Sequence, residues 1–498
     1  MWQKPLSGIF LRNKQFMLTI SKDLFTAWND ANLFYCHWKS NEHLLPGLDG
    51  TTDLDVLLSR DDKEKGEQIL QRLDFLKCKS QFGSRYPDVY DWIGYDKVTG
   101  ALIHLHLHFA LVTGHKGLKE YSLPWAEKAL QTRVFNEEYG VYMIEPNLEM
   151  VTLYTRIGLK ADIESIVRCR LGRFHFSKDV QREIDWLKER VDLSKVRDLL
   201  DIYYGEEAAA VFSIMQQKNI DATSYMCLRQ ITEKTFKKSS RVKCFVRIKE
   251  GLFYIYQKRL KHFLQNFCSI ISKKVPASEK GMTIAFLGQD GAGKTTVTKQ
   301  LIKWLSWKMD VRYVYLGSGD NYFSLKRTII RKMPTNGTLR IVRSFLALTE
   351  IRDITKKACK NIIRSEKYVK KGGIVIYDRF PQMEFAGICD GPKIREKVEK
   401  NFGKGFKAKL FLPLACSEEK YIKKIVTHHP NIVFKLILPP EESICRKPQE
   451  NYEGIKRKHE IVKSLAFDES DVYVIDATMP YEEEILRIKS TIWQHIQK

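Results

Sequence analysis

Nine consecutive residues, Gly288-Gln-Asp-Gly-Ala-Gly-Lys-Thr-Thr296, have the types and spacing needed to hold a polyphosphate. Gly288, Gly291 and Gly293 let the backbone curl, so that successive N–H groups of the run through Ala292 to Thr296 point at phosphate oxygens. Lys294 reaches the outer phosphates, and Thr295 carries a hydroxyl suited to magnesium. About eighty residues later the apolar run GGIVIYDRF ends in Asp378-Arg379. A carboxylate there is placed to organise magnesium, and a forked guanidinium to grip a phosphate in transfer.

A second constellation lies nearer the other end. Asp53 and Asp55, two apart on an expected strand, project from one face and can share magnesium, as nucleotidyl transfer requires. The run LIHLHLHF sets His104, His106 and His108 on one face of another strand. Neutral imidazoles can ligate a transition metal, and protonated ones can stabilise a phosphate. Neighbours two apart on a strand sit about 6.5–7 Å from each other, so one or two of the three, with Asp53 or Asp55, is the expected grouping. Asp91 and Asp96 are the candidates for a third carboxylate.

These residues need elements to position them. Met282–Leu287 reads as a buried strand leading into the glycine loop, with a helix starting near Lys294. Strand candidates at Ile432–Leu438 and Val472–Ile475, alternating with helical stretches, predict a mostly parallel, doubly wound α/β sheet over 281–498. Residues 1–150 mix strands (Phe34–Trp38, Leu54–Leu58, Leu102–Phe109) with helices and predict an α+β domain. From 151 to 275 the pattern is helical, and Val275–Gly281 reads as a linker.

The set GQDGAGKTT, VIYDRF, PNIVFKLILPPEESICRK and VYVIDA, in that order, resembles the thymidylate kinase family of nucleoside monophosphate kinases over roughly residues 281–498. The resemblance implies that ATP and magnesium bind at Lys294 and Thr295, that Asp290 and Arg379 face the acceptor, and that Arg446 begins a mobile lid. Gly291 stands where some members carry an arginine, which leaves the lid cations to supply the catalytic charge. Two departures bear on the acceptor: Tyr313-Val-Tyr-Leu-Gly-Ser-Gly-Asp320 and Pro381-Gln-Met-Glu-Phe-Ala-Gly387 replace the family's acceptor segments. The expected small-molecule acceptor is therefore a nucleoside monophosphate or a sugar or polyol. Residues 20–160 resemble the uncharacterised branch of the DNA polymerase β-type nucleotidyltransferase superfamily, with Ser40 near the serine of its first motif and Asp53 and Asp55 as its acidic pair.

The chain has 498 residues and a formal charge of +23, which favours anionic partners. Between Lys234 and Lys274 twelve basic residues face one acidic residue, Glu250, with apolar residues at near-helical spacing. Such a basic amphipathic helix suits a linker, an anionic membrane surface or a nucleic acid, and no motif for a specific nucleic acid accompanies it. Ten scattered cysteines, with no apolar run long enough to span a membrane and no secretory signal pattern, lead us to expect a cytoplasmic protein with reduced thiols. Besides a kinase, the same features admit a nucleotidyltransferase whose glycine-loop domain senses nucleotide, or a nucleotide-switched protein that binds membranes or partners.

Overall fold

A computed structural model of the chain describes residues 16–80, 86, 88–115, 118–218, 220–241, 252, 273–317, 325–334, 339–403 and 405–497. Most of the basic stretch 234–274 lies outside them. The chain divides near residue 263 into two compact units. No described helix is long and apolar enough to cross a membrane.

The first unit is built on strands β1 (Tyr35–His37), β2 (Asp53–Leu58), β3 (Leu76–Lys79), β4 (Val89–Tyr95) and β5 (Leu102–His108). A small hairpin follows, β6 (Leu111–Thr113) and β7 (Tyr121–Leu123), and then β8 (Val134–Asn136) and β9 (Val141–Met143). Within this unit the mixed sheet runs β3-β4-β5-β2-β1-β9-β8. Alternation sorts its side chains: Leu54, Val56, Leu58, Ile103, Leu105 and Leu107 share one core with Leu24, Phe25 and Trp28 of the Thr19–Asp30 helix. Cys36, Trp38 and Leu57 face the other way.

That second face is covered by helices from the stretch expected to stand apart. The Pro146–Leu159 helix opens with proline in its first turn and the Glu145 carboxylate accepting from Leu148 N–H at 3.0 Å, and its side chains are buried nearly all round. Asp162, Ser177, Asp192 and Asp221 cap four of the helices that follow, at Ile163–Arg170, Lys178–Lys188, Leu193–Tyr204 and Ala222–Thr235. Their apolar residues, Leu148, Tyr154, Leu187, Leu200 and Leu228 among them, share one core with Trp38, Leu57 and Trp125. Sheet and helices therefore form one unit, because the sheet's second apolar face and the apolar faces of these helices bury each other.

The second unit holds a five-stranded, wholly parallel sheet: β10 (Met282–Leu287), β11 (Val311–Tyr315), β12 (Ile374–Asp378), β13 (Ile432–Ile437) and β14 (Asp471–Asp476), ordered β11-β12-β10-β13-β14. The three central strands are mostly apolar and buried on both faces, β13 carrying one buried charge, Lys435, whose Nζ donates to the Lys463 carbonyl at 3.0 Å. Val275, expected in a linker, is fully buried in this unit's core with Ala285, Tyr368 and Val375. The chain order reverses direction at β10, whose two neighbours are β12 and β13, so a crevice opens beyond its carboxyl end. The glycine loop starts there.

Candidate functional site

The loop after β10 adopts the curl its glycines permit. Gly291 and Gly293 have φ of 90° and 85°, in the left-handed region, and Gly293 caps the Lys294–Leu305 helix. At Gly288 a Cβ would meet the Leu436 carbonyl oxygen of β13 at 2.8 Å. Gly288→Ala should therefore push the loop off β13, costing about 1–3 kcal/mol of stability; a thermal melt showing no loss would contradict this close approach.

Lys294 is buried at 7% exposure and folds back over the loop, its Nζ donating to the carbonyls of Gly288 at 2.7 Å and Gln289 at 2.8 Å. Burial, with Arg379 nearby, pushes its pKa down to about 8. Thr295 Oγ1 donates to Asp378 Oδ2 at 3.0 Å, and Tyr313 OH donates to the same oxygen at 3.0 Å. Parallel pairing sets this up, since Asp378 lies opposite Phe286 of β10 and Tyr315 of β11. Asp378 is 1% exposed, and its Oδ1 is buried without a hydrogen-bond partner among the described residues. A buried carboxylate oxygen left open beside a threonine hydroxyl fits a hard cation such as magnesium, so Thr295 and Asp378 are the residues that would hold it.

Arg379 follows with φ of 74°, which turns its side chain toward the loop. Its guanidinium stands 3.4 Å from Asp290 Oδ1 and 3.7 Å from Asp390 Oδ2. Asp290 also accepts from Lys458; burial works upward on its carboxyl, but Lys458, Lys294 and Arg379 outweigh it and hold the pKa below the usual range. Arg446 ends the Pro440–Arg446 helix, half exposed, with Nη1 3.5 Å from the Gly291 carbonyl oxygen and Nη2 donating to Ala477 O at 3.2 Å. The site residues expected in 281–498 thus come to one end of the sheet. Lys458 and Asp390 join them, although a basic helical run and an Asp-Gly-Pro turn carry no signal beyond a solvated face and a loop.

Several hollows adjoin this sheet, and two of them bear on an acceptor. One of about 490 Å³ is lined by Leu316, Arg327, Glu350, Ile354, Asp390 and Lys393, beside the loop that carries Pro381. Arg327 Nε donates to Glu350 Oε1 at 3.0 Å within it. The other, of about 550 Å³, lies at the amino ends of the strands around Met282, Ile374 and Asp471, away from the glycine loop. Ligands of open parallel sheets bind at the carboxyl ends, so the first is the candidate acceptor pocket.

The chain is similar over part of its length to proteins already described. The uncharacterized ATP-binding protein YghR of Escherichia coli strain K12 is 26% identical over 223 residues, 42% of this chain and 86% of that protein. The uncharacterized ATP-binding protein YghS of the same strain is 23% identical over 222 residues, 40% of this chain and 87% of that protein. A deoxyadenosine kinase from M. mycoides, solved with bound dATP, aligns at 16% identity and a TM-score of 0.27 over 42% of this chain and 99% of its own. No protein-family model matches the chain.

The first unit gathers the other constellation on β2, β4 and β5. Register pairs Asp53 with His104 and Asp55 with His106 across β2 and β5, and Asp91 with His106 across β4 and β5. Asp91 is thus the third carboxylate on this face. Asp96 instead serves a turn, accepting from Ile20, Val98 and Thr99 N–H groups. Lys39 Nζ donates to Asp55 Oδ2 at 2.6 Å; Ser40, with φ of 60°, caps a short helical turn and makes no hydrogen bond to Asp53 or Asp55 among the described residues. Burial would raise the Asp55 carboxyl, but Lys39, His106 and His108 outweigh it and hold the pKa well below the usual range. Burial dominates at His108, pushing its pKa down to about 4.

Proposed function

We propose that the second unit is an ATP-dependent phosphotransferase acting on a small polar acceptor, a nucleoside monophosphate or a sugar or polyol. The observation that carries this reading is the convergence of Lys294, Asp378, Arg379, Asp290 and Lys458 on a glycine loop at the sheet's switch point. The names of YghR and YghS, ATP-binding proteins of similar sequence, add support.

In this reading Lys294 exchanges the Gly288 and Gln289 carbonyls for phosphate oxygens, while the loop N–H groups hold the remainder of the chain of phosphates. Magnesium at Thr295 and Asp378 would supply charge neutralisation when bound. An acceptor oxygen in the pocket beside Asp390 attacks the terminal phosphorus, the bond to the bridging oxygen breaks and ADP leaves with its electron pair, while a hydroxyl acceptor passes its proton to the Asp390 carboxylate and a phosphate acceptor has none to lose. Arg379 and Lys458, held by Asp290, face the oxygens that gain charge, with Arg446 at the loop's outer side. Arg327, Glu350 and Lys393 offer hydrogen-bonding groups matched to hydroxyls or a phosphate.

The test is ADP formation by the purified chain with ATP and magnesium, across nucleoside monophosphates, sugars, sugar phosphates and polyols. We expect one acceptor class to stimulate turnover in the wild type and none to do so in Lys294→Ala. ATP binding with no stimulation by any acceptor would sink the kinase reading. A second reading, nucleotidyl transfer by the first unit, is favoured by Asp91 joining Asp53 and Asp55 on one face. It predicts diphosphate release that survives Lys294→Ala and is lost in Asp53→Asn/Asp55→Asn.

A further inference from the structure

The histidines of β5 raise a question that three carboxylates alone would not. Asp91 Oδ1 lies 3.1 Å from His104 Nε2 and 3.2 Å from His106 Nε2, while Asp91 Oδ2 accepts from Ser80 Oγ at 2.7 Å. One carboxylate oxygen readily accepts two N–H groups, so Asp91 can take an Nε2–H from each ring, and the opposite tautomer would only move the unprotonated nitrogens onto Asp91. With Nε2 protonated, each ring carries its lone pair on Nδ1. Those atoms face carboxylates as well: His104 Nδ1 is 2.6 Å from Asp53 Oδ1, and His106 Nδ1 is 3.2 Å from Asp55 Oδ1.

A lone pair set against a carboxylate oxygen is repulsive unless a cation lies between them. Either both rings are imidazolium ions inside this face of the sheet, or a metal ion takes the place of two protons. The geometry favours the metal. A ligating histidine ordinarily donates its second N–H to a carboxylate, which is the part Asp91 plays for both rings. His108 lacks such a partner, since its Nδ1 is buried without one among the described residues, although its Nε2 also approaches Asp55 at 3.1 Å. The ligand atoms of Asp53, His104 and His106 lie within 4.8 Å of one another, and ligands about 2.1 Å from an ion stand roughly 3–3.4 Å apart. Asp53, a third exposed, has room to make that adjustment, and its exposure gives an ion access from solvent.

We propose that the first unit holds one divalent transition-metal ion of the zinc, manganese or iron class, ligated by Asp53, His104 and His106, with Asp91 orienting both imidazoles. The inference stands apart from the kinase reading and departs from the expectation of magnesium at Asp53 and Asp55. Two imidazoles suit a borderline ion, whereas magnesium prefers oxygen alone. Asp55 stays outside the ligand set, with Lys39 on its Oδ2 and His106 and His108 on its Oδ1.

The experiment uses the full chain, stripped of metal and dialysed against zinc as the probe, with bound zinc counted by atomic emission. We expect one tightly held zinc per chain, unchanged in Lys294→Ala and resistant to a thousandfold excess of magnesium. His106→Ala and Asp53→Asn should each weaken it at least 30-fold. Both side chains are partly exposed, so these variants should fold, which circular dichroism melting checks. X-ray absorption on the wild type gives a readout independent of any variant: nitrogen and oxygen neighbours with imidazole scattering are expected. Absence of stoichiometric zinc, zinc retained by both variants, a sulfur neighbour, or ready displacement by magnesium would each overturn the proposal.

Discussion

Replacing Lys294 by methionine is expected to lower turnover by about a hundredfold to a thousandfold, the usual loss when one preorganised cation or donor is removed from a phosphoryl-transfer site. The wild-type lysine also makes a pH prediction. Its pKa of about 8 in the free protein reflects burial first and Arg379 second. A bound triphosphate favours the charged ammonium, so nucleotide binding takes up a proton wherever the free lysine has lost one. Affinity should be level below about pH 8 and fall above it by up to about tenfold per pH unit, until the bound lysine itself titrates. Titration calorimetry from pH 6.5 to 9.5 would measure this slope. A slope that persists in Lys294→Met would assign the proton to another group.

Asp378→Asn is expected to separate stability from activity. The wild-type carboxylate is buried with Oδ2 satisfied by Thr295 and Tyr313 and Oδ1 left without a hydrogen bond among the described residues. An uncompensated buried polar atom costs about 1–3 kcal/mol, more when charged. Asparagine keeps the shape and removes the charge. The melting transition of the second unit should therefore hold or rise by a few degrees, at about 2–4 °C per kcal/mol for a unit of this size. Turnover should fall at least about a hundredfold, because the group suited to magnesium is gone. A variant that melts several degrees lower with activity intact would mean that Asp378 is a structural residue and not part of the site.

Arg327 offers a smaller test of the acceptor pocket. If the pocket of about 490 Å³ holds the acceptor, Arg327→Ala should raise the acceptor's KM by tenfold or more and leave ATP affinity within about twofold. Steady-state kinetics with the acceptor found above would decide it.

Much of the second unit was legible in the sequence because its chemistry is contiguous. A strand, a glycine loop and a helix start occupy one run of residues, and the backbone geometry that binds phosphate is local to that run. Strand identity was equally local, since burial on both faces demands unbroken apolar runs such as those around Ile284 and Ile376. Of the residues that escaped, Lys458 lies far along the chain from Asp290 and only the crossovers around the parallel sheet bring it back, whereas Asp390 returns to the nearby Arg379 through a loop with no regular pattern to read.

The first unit divides in the same way. By itself the sequence determined which residues share a face, because strand alternation sets Asp53 with Asp55 and His104 with His106. The same spacing led to the expectation that one or two of the three histidines, with Asp53 or Asp55, would form a site. Only the tertiary structure decided between Asp91 and Asp96, since strand register is a matter of pairing between distant segments: β4 lies antiparallel to β5 with Asp91 opposite His106, while Asp96 falls beyond the strand's end in a turn. It decided too that the helical stretch after residue 150 shares the sheet's core, because which amphipathic faces cover one another depends on the packing of the whole unit and on no local pattern.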